Sequence, residues 1–370
     1  MIINASKIIL FYLFLNSSLI KAQINNQIFN QNDTIIPADS QSIRLHFEAL
    51  QFLRNTEYFD IIEDGQTYFG NLLQLHGTYM PYKNVMIKAG IQTRQDYGNS
   101  KFNQVTPVWN ISIFKHKWRY NFGQLNGTTN YGLIEPMYNI DNAITHRIEN
   151  GIQSIYTNGD NTFNNWLVWN EPTYRKATNQ EQFTTGVVTN KRLLKTKKLK
   201  FIWPFQGTLV HRGGQINETP TPIYSRINLA SGIKYLWQIN EHSSLRSENY
   251  YLYAFDVSPT ITQPYKNGNA FWHTLAFKHK YFEAIVQHWN GFEYQSPIGT
   301  QIYNNFNFYE IEKYRQLRQM TMLRLMYFRK IKENLRLDLR LEPFYDHQYK
   351  FVQYSYSVYL RLNFDRAFKL

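Results

Sequence analysis

The chain of 370 residues has no cysteine. In an exported protein this removes disulfide stapling and the acylated cysteine of a lipoprotein, and with them thiolate catalysis and cysteine-ligated metals. Long apolar runs are missing too. The best one, residues 8–15, falls well short of the roughly 20 residues a spanning helix needs, so a helical inner-membrane protein is excluded. Hydrolase and nucleotide signatures are absent: there is no Gly-x-Ser-x-Gly elbow, no His-Glu-x-x-His, no phosphate-cradling glycine loop and no calcium loop. On these grounds no enzyme, cofactor or metal site is expected. His273, His279 and His288 gather about one predicted hairpin, too far apart along it to share a metal, and read as rim and lumen residues. Acids are scarce, 27 against 40 Lys and Arg, giving a formal charge of +13. Such a balance often signals nucleic acid. The export signal described next points instead to anionic lipid, anionic solutes or acidic partners.

Residues 1–22 have the layout of a secretory signal peptide. Lys7 supplies the positive region, residues 8–15 the apolar stretch, and Ala22 the small residue before a cut. Residues 23–41 are polar and patternless and read as a flexible periplasmic segment. From residue 42 onward the chain is rich in aromatics, with 28 Tyr, 26 Phe and 8 Trp, yet mean hydropathy is only −0.49. Strands that are apolar at every second position and end in aromatic girdles produce that combination.

The alternation is explicit in several places. Leu335, Leu337, Leu339 and Leu341 share one face of a strand, and Arg336, Asp338, Arg340 and Glu342 the other. Tyr354, Tyr356, Val358, Leu360, Leu362 and Phe364 repeat the pattern, as do Ile227, Leu229, Ile233, Tyr235 and Trp237, and Val85, Ile87, Ala89 and Ile91. None of these apolar faces contains a charge, as a lipid-facing band requires, because Lys or Arg near the midplane costs about 2–4 kcal/mol. Tight turns are expected at 81–84, 115–117, 158–161, 193–197, 239–242, 279–280 and 330–334. Longer polar stretches fall between them, at 55–64, 96–104, 126–147, 171–180, 213–224, 258–267, 292–313 and 346–350. This alternation of short and long connections predicts an all-β transmembrane antiparallel barrel over residues 42–370. About 16 strands are expected, 14 being possible, with both termini at the short-turn rim. Pro204 lies inside one predicted strand, where it would cost a ladder bond. A soluble β-sandwich would place charges on its outer face, which these strands do not.

With its signal, strand array and final strand, the chain resembles the Gram-negative outer-membrane β-barrel proteins and is porin-like in size. The family ends on an amphipathic strand, here Tyr356, Val358, Leu360, Leu362 and Phe364, which the β-barrel assembly machinery recognises. Either Phe364 closes the barrel, or Phe368 and Leu370 extend the strand. The resemblance implies a Gram-negative outer-membrane location, contact with membrane lipid and lipopolysaccharide, and periplasmic or envelope protein partners.

If the apolar faces meet lipid, their alternates point into the lumen. The candidate pore-lining residues are Arg44, Lys88, Arg94, Arg119, Arg226, Lys234, Arg336, Arg340 and Arg361, against Glu48, Asp338 and Glu342 among the acids. Fixed cations would raise the local anion concentration and favour anion passage. The other reading is that they pair with acids and fill a polar interior. The basic run 191–200 falls at a short-turn rim. It is either a solvated face or a contact for headgroups or an acidic partner. The long loops 126–147 and 292–313 fold inward as a constriction or outward as a receptor surface. The expected function is an anion-biased channel for small polar solutes. The alternative is a non-conducting barrel that serves as a structural or docking subunit, which a closed lumen would favour.

Overall fold

The computed structural model describes residues 26–30, 42–125, 131–216 and 218–369. The signal peptide read from residues 1–22 lies outside them. Sixteen strands are present among the described residues. The first eight are β1 (Ser42–Glu57), β2 (Thr67–Tyr82), β3 (Val85–Asp96), β4 (Gln104–Lys115), β5 (Trp118–Gln124), β6 (Asn150–Asn158), β7 (Asn161–Glu171) and β8 (Glu181–Lys195). The second eight are β9 (Leu199–Gly213), β10 (Tyr224–Gln238), β11 (Ser243–Asp256), β12 (Asn267–His279), β13 (Phe282–Phe292), β14 (Leu317–Lys332), β15 (Leu335–Asp346) and β16 (Phe351–Lys369).

Each strand pairs antiparallel with its sequence neighbours, and β1 pairs with β16 to close the barrel. Closure satisfies every edge, which is what lets strands cross a bilayer that offers no water to a bare backbone. Among the described residues no helix is long and apolar enough to cross a membrane. The strand count is sixteen rather than fourteen. Short turns and long loops alternate as expected, and both barrel ends lie at the short-turn rim. The question at the C-terminus is resolved in favour of extension: β16 runs on past Phe364, with Phe368 opposite Ile43 and Lys369 opposite Ser42.

Period-two burial follows the sequence. Ile87, Ile91, Ile233, Trp237, Leu339, Leu341, Tyr354, Tyr356, Val358 and Phe364 are exposed on the outer wall, where hydrocarbon covers them. Pro204 is accommodated between unequal neighbours. It keeps register with Asn190 of β8, while pairing of β9 with β10 skips from Phe205↔Ser231 to Ile202↔Lys234. The Ser231 hydroxyl donates to the Pro204 carbonyl at 3.2 Å and accepts from Trp203 Nε1 at 3.0 Å, bridging the gap. Gly232 sits at this irregularity on β10. A Cβ there would lie 1.8 Å from the carbonyl oxygen of Asn249 on β11, so the two strands approach only because the side chain is missing.

Candidate functional site: a filled lumen and a polar series on the wall

The first element in the lumen comes from the segment that read as patternless. Gln27–Phe29 form a 3-10 turn in which Ile28 and Phe29 are buried. Their apolar side chains pack with Leu50, Phe52, Leu72 and Tyr359 from the inner faces of β1, β2 and β16, and Phe29 meets the Tyr359 ring edge-on. Two arginines, one on β16 and one in the loop ahead of β6, satisfy the turn's backbone. Arg361 donates to the carbonyls of Gln27, Ile28 and Asn30, and Arg147 to that of Phe29. Both arginines also hold Glu48, at 2.6 and 2.5 Å.

The long loops fill the lumen from the other rim. Residues 131–149 and 293–316 fold inward, and both contribute to a large buried apolar cluster. Leu133, Ile134, Met137, Ile302 and Tyr303 pack there with Trp166, Leu252, Trp272, Trp289, Met320 and Phe344 of the strands. The loop helical turn Asn142–Thr145 brings Ala143 and Ile144 down onto Ile28 and Phe29. The loop from one rim and the turn from the other therefore meet in the interior. On the remaining inner wall, Lys88, Gln92, Asn110, Ser112, Asn121 and Gln153 are no more than 3% exposed. A water-filled channel would leave such residues wet. Here a water-sized sphere hardly reaches them.

Ion pairs lock this packing. Arg324 of β14 grips Glu135 of the first inward loop through two bonds, at 2.6 and 2.5 Å, and reaches Glu342 at 3.1 Å. Arg54 joins Asp141 of the same loop to Glu342, at 2.5 and 3.2 Å. Arg318 holds Asp60 at 2.7 Å and Asp346 at 3.3 Å, and donates to the Ile302 carbonyl. In the loops, Asp60 is pulled below the ordinary carboxylate range, because the Arg318 charge and hydrogen bonds from Gln353 and Arg318 outweigh burial. Burial instead raises Glu149, whose carboxylate accepts from the hydroxyls of Tyr131 and Tyr138. Beside it remains a cavity of about 300 Å³ walled by Tyr131, Tyr138, His146, Trp166 and Thr184.

The nine residues read as pore-lining all occupy inward positions, but they do not form an open cationic ring. Arg44 pairs with Asp365, Arg94 with Asp96, Arg226 with Asp256, Lys234 with Glu248, and Arg361 with Glu48. Arg336 and Arg340 share Asp338, and each also donates to the N-terminal turn, through Gln27 and Asn26. Arg119 donates to Asn121 and Ser112, and Lys88 is buried at 2%. The expected excess of bases over acids was too large because most of the inward acids come from elsewhere. Asp60, Glu135 and Asp141 arrive on loops, Asp346 ends β15 where the sequence reads as a loop, and Glu248, Asp256 and Glu283 lie on strands whose alternation is less regular. Arg54, Arg246, Arg318 and Arg324 were missed for the same reason. The basic run 191–200 gathers partly around Asp160 of the β6–β7 turn, with Arg192, Lys195 and Lys200 at 3.2, 3.5 and 2.7 Å. Against the upward pull of burial, hydrogen bonds from Lys200 and Arg192 hold the Asp160 carboxyl low.

The histidines correct the sequence reading in a different way. His273 and His288 are direct cross-strand partners on β12 and β13, and they face outward rather than into the lumen. Their neighbours are polar. His273 Nδ1 meets the Asn249 carboxamide oxygen of β11, and Asn249 donates to Ser247 at 3.2 Å. His288 Nδ1 lies 3.1 Å from the Thr321 hydroxyl of β14, which lies 2.9 Å from His347 Nε2 in the β15–β16 loop. A polar series therefore crosses the outer wall from mid-height on β11 to the long-loop rim.

Three comparisons place the chain. Of the solved structures, OprD of Pseudomonas aeruginosa superposes with a TM-score of 0.52 at 8% identity, covering 90% of this chain and 99% of that one. An anion-selective porin from Comamonas acidovorans gives 0.51 at 11% identity, covering 87% and 100%. A loop-deletion mutant of the Vibrio cholerae outer-membrane protein OmpT gives 0.52 at 10% identity, covering 87% and 99%. At such identities the likeness establishes the porin-like outer-membrane barrel fold and nothing finer. No curated protein matches the chain. The family model described as lipid A 3'-O-deacylase-type matches residues 35–370, the whole barrel from β1 to the end of β16, so the chain belongs to the lipid A 3'-O-deacylase-type family.

Proposed function

We propose that this outer-membrane barrel does not conduct, and that it acts from its outer wall on an acylated lipid of the outer leaflet, hydrolysing an ester-linked acyl chain of a lipid A-type molecule. The observation that carries the first half is the filled lumen: an apolar core of loop and wall residues at mid-height, with the surrounding charges paired. A buried, paired cation offers a passing anion little, since its field is already spent on a fixed carboxylate. The family supports the second half, because the activity in its description concerns a lipid that a β-barrel meets sideways. Export by cleavage after Ala22, recognition of β16 by the assembly machinery and contact with lipopolysaccharide belong to the same reading.

The test is to incubate the purified, folded protein with lipopolysaccharide in detergent micelles and weigh the lipid A by mass spectrometry. Loss of one ester-linked acyl chain is expected. Intact lipid A under all conditions would overturn the hydrolase reading and favour the docking subunit, which suits a filled lumen equally well. An anion-biased channel is the second reading, favoured by the porin-like fold. It requires the inward loops to leave the lumen.

A further inference from the structure

The polar series on the wall stands where polarity is costly. An amide or hydroxyl placed in hydrocarbon without a partner loses several kcal/mol. Asn249, His273, His288 and Thr321 occupy positions whose equivalents on many other strands are Leu, Ile, Val or Phe. Mutual hydrogen bonds lower that cost but do not explain why three imidazoles and a hydroxyl gather there.

Depth narrows the purpose. Thr321 lies four residues from Leu317, the long-loop end of β14. At about 3.3 Å per residue and a tilt near 40°, that is about 10 Å below the strand end. Lipid ester bonds lie in this layer, beneath the headgroups and above the hydrocarbon. The chemistry fits an ester. The Thr321 hydroxyl has one proton and two imidazole neighbours, so it donates to one and accepts from the other. His347 Nε2 is the nearer, at 2.9 Å, and its side chain is exposed to water at the rim. Asn290 of β13 and Gln319 of β14 are direct cross-strand partners one outward position nearer the rim, so two carboxamide residues share the outer face with the hydroxyl.

We propose that this series is an acyl-ester hydrolysis site open sideways to the outer leaflet, with Thr321 as nucleophile and His347 as its base; the proposal rests on the hydrolase reading above. Thr321 Oγ bonds to the acyl carbon while its proton passes to His347 Nε2, and the carbonyl electron pair moves onto oxygen. The Asn290 and Gln319 amides donate to that oxyanion. On collapse the C–O bond to the sugar breaks, and the departing oxygen takes the proton from His347. Water then attacks the threonyl ester, giving its proton to His347, and the free carboxylic acid leaves as Thr321 Oγ regains a proton. His288 holds the Thr321 oxygen in place, and Asn249 fixes the tautomer of His273 alongside.

Two other outward hydroxyl–imidazole pairs provide controls: Ser225 with His211 at the long-loop rim and Ser243 with His279 at the short-turn rim, each at 2.8 Å. The experiment uses the folded, heat-modifiable protein and two readouts. One is acyl release from lipopolysaccharide. The other is adduct formation with a long-chain alkyl fluorophosphonate, located by peptide mass mapping. Wild type is expected to label on Thr321. Thr321→Val should lose at least about 1,000-fold in acyl release together with the label, Thr321→Ser should keep both, and Ser225→Ala should change neither. His347→Gln should lose release. Full activity in a folded Thr321→Val, or a label found only elsewhere, overturns the site while leaving the hydrolase reading intact. Labelling at Thr321 without release from lipopolysaccharide supports the site and overturns the lipid A substrate. Neither label nor release overturns both.

Discussion

Replacing Arg324 by Met should unpin the first inward loop. Arg324 is buried and makes two short bonds to Glu135 on that loop, a 3.1 Å contact to Glu342, and a longer one to the Tyr303 hydroxyl. Glu342 keeps Arg54. Glu135 keeps only its hydrogen bond from Tyr303 and becomes a buried carboxylate without a cation. Breaking one side of such a pair costs about 3–5 kcal/mol. At 1.4 kcal/mol per decade, the docking equilibrium of the loop shifts by roughly 100- to 4,000-fold. Leu133, Ile134 and Met137 still anchor the loop, so brief excursions are expected rather than a permanently open barrel. In a planar bilayer Arg324→Met should show short current bursts. Arg94→Met should not, since its ion-pair partner Asp96 lies on the same strand rather than on the loop. Adding Glu135→Met to Arg324→Met should restore quiet, because an apolar pair of similar volume replaces the ion pair. If Arg324→Met is as silent and as urea-resistant as wild type, the ion pair does not hold the loop.

Three further outcomes follow from the same packing. Burial, with Asp141 nearby, pushes the Glu63 carboxyl in the β1–β2 loop up from 4.5 to about 8; the native state then keeps a proton the unfolded chain releases. Stability should therefore decline as pH rises from about 4.5 to about 8, and Glu63→Gln should flatten that slope in urea titrations. Gly232→Ala would drive a Cβ into the Asn249 carbonyl, and the expected result is a barrel that fails to show a heat-modifiable band on gels. Phe29→Ala empties a buried ring site against Tyr359; at about 3–5 kcal/mol for such a truncation, the N-terminal turn should undock and become a protease site ahead of β1.

The barrel was legible because strand periodicity is a local property. Leu335–Glu342 states its two faces in eight letters, and the turn residues mark where each strand ends. Pro204 costs its strand a ladder bond, and the structure keeps it by letting β10 skip pairs. The plug was not legible. Ile28 and Phe29 are two apolar residues in a polar stretch, with no period to flag them, and their burial depends on residues as near as Leu50 and as far as Tyr359. Leu133, Ile134 and Met137 were hidden inside a loop whose polar neighbours set its overall character. The candidate cations were placed on the correct face, but pairing is a three-dimensional fact. Asp60, Glu135 and Asp141 reach the lumen only because their loops turn inward. The wall series was half visible: the histidines stood out as a cluster, and the missing step was that β12 and β13 pair in the register that sets His273 opposite His288 with both side chains facing outward.

The most direct measurement is single-channel recording of the purified, heat-modifiable wild-type protein in a planar bilayer under a salt gradient. A filled lumen predicts a silent bilayer at all moderate voltages, with no reversal potential to assign. Stable open steps, above all with a reversal potential favouring chloride, would contradict the filled lumen and return the paired arginines to the role of a basic pore.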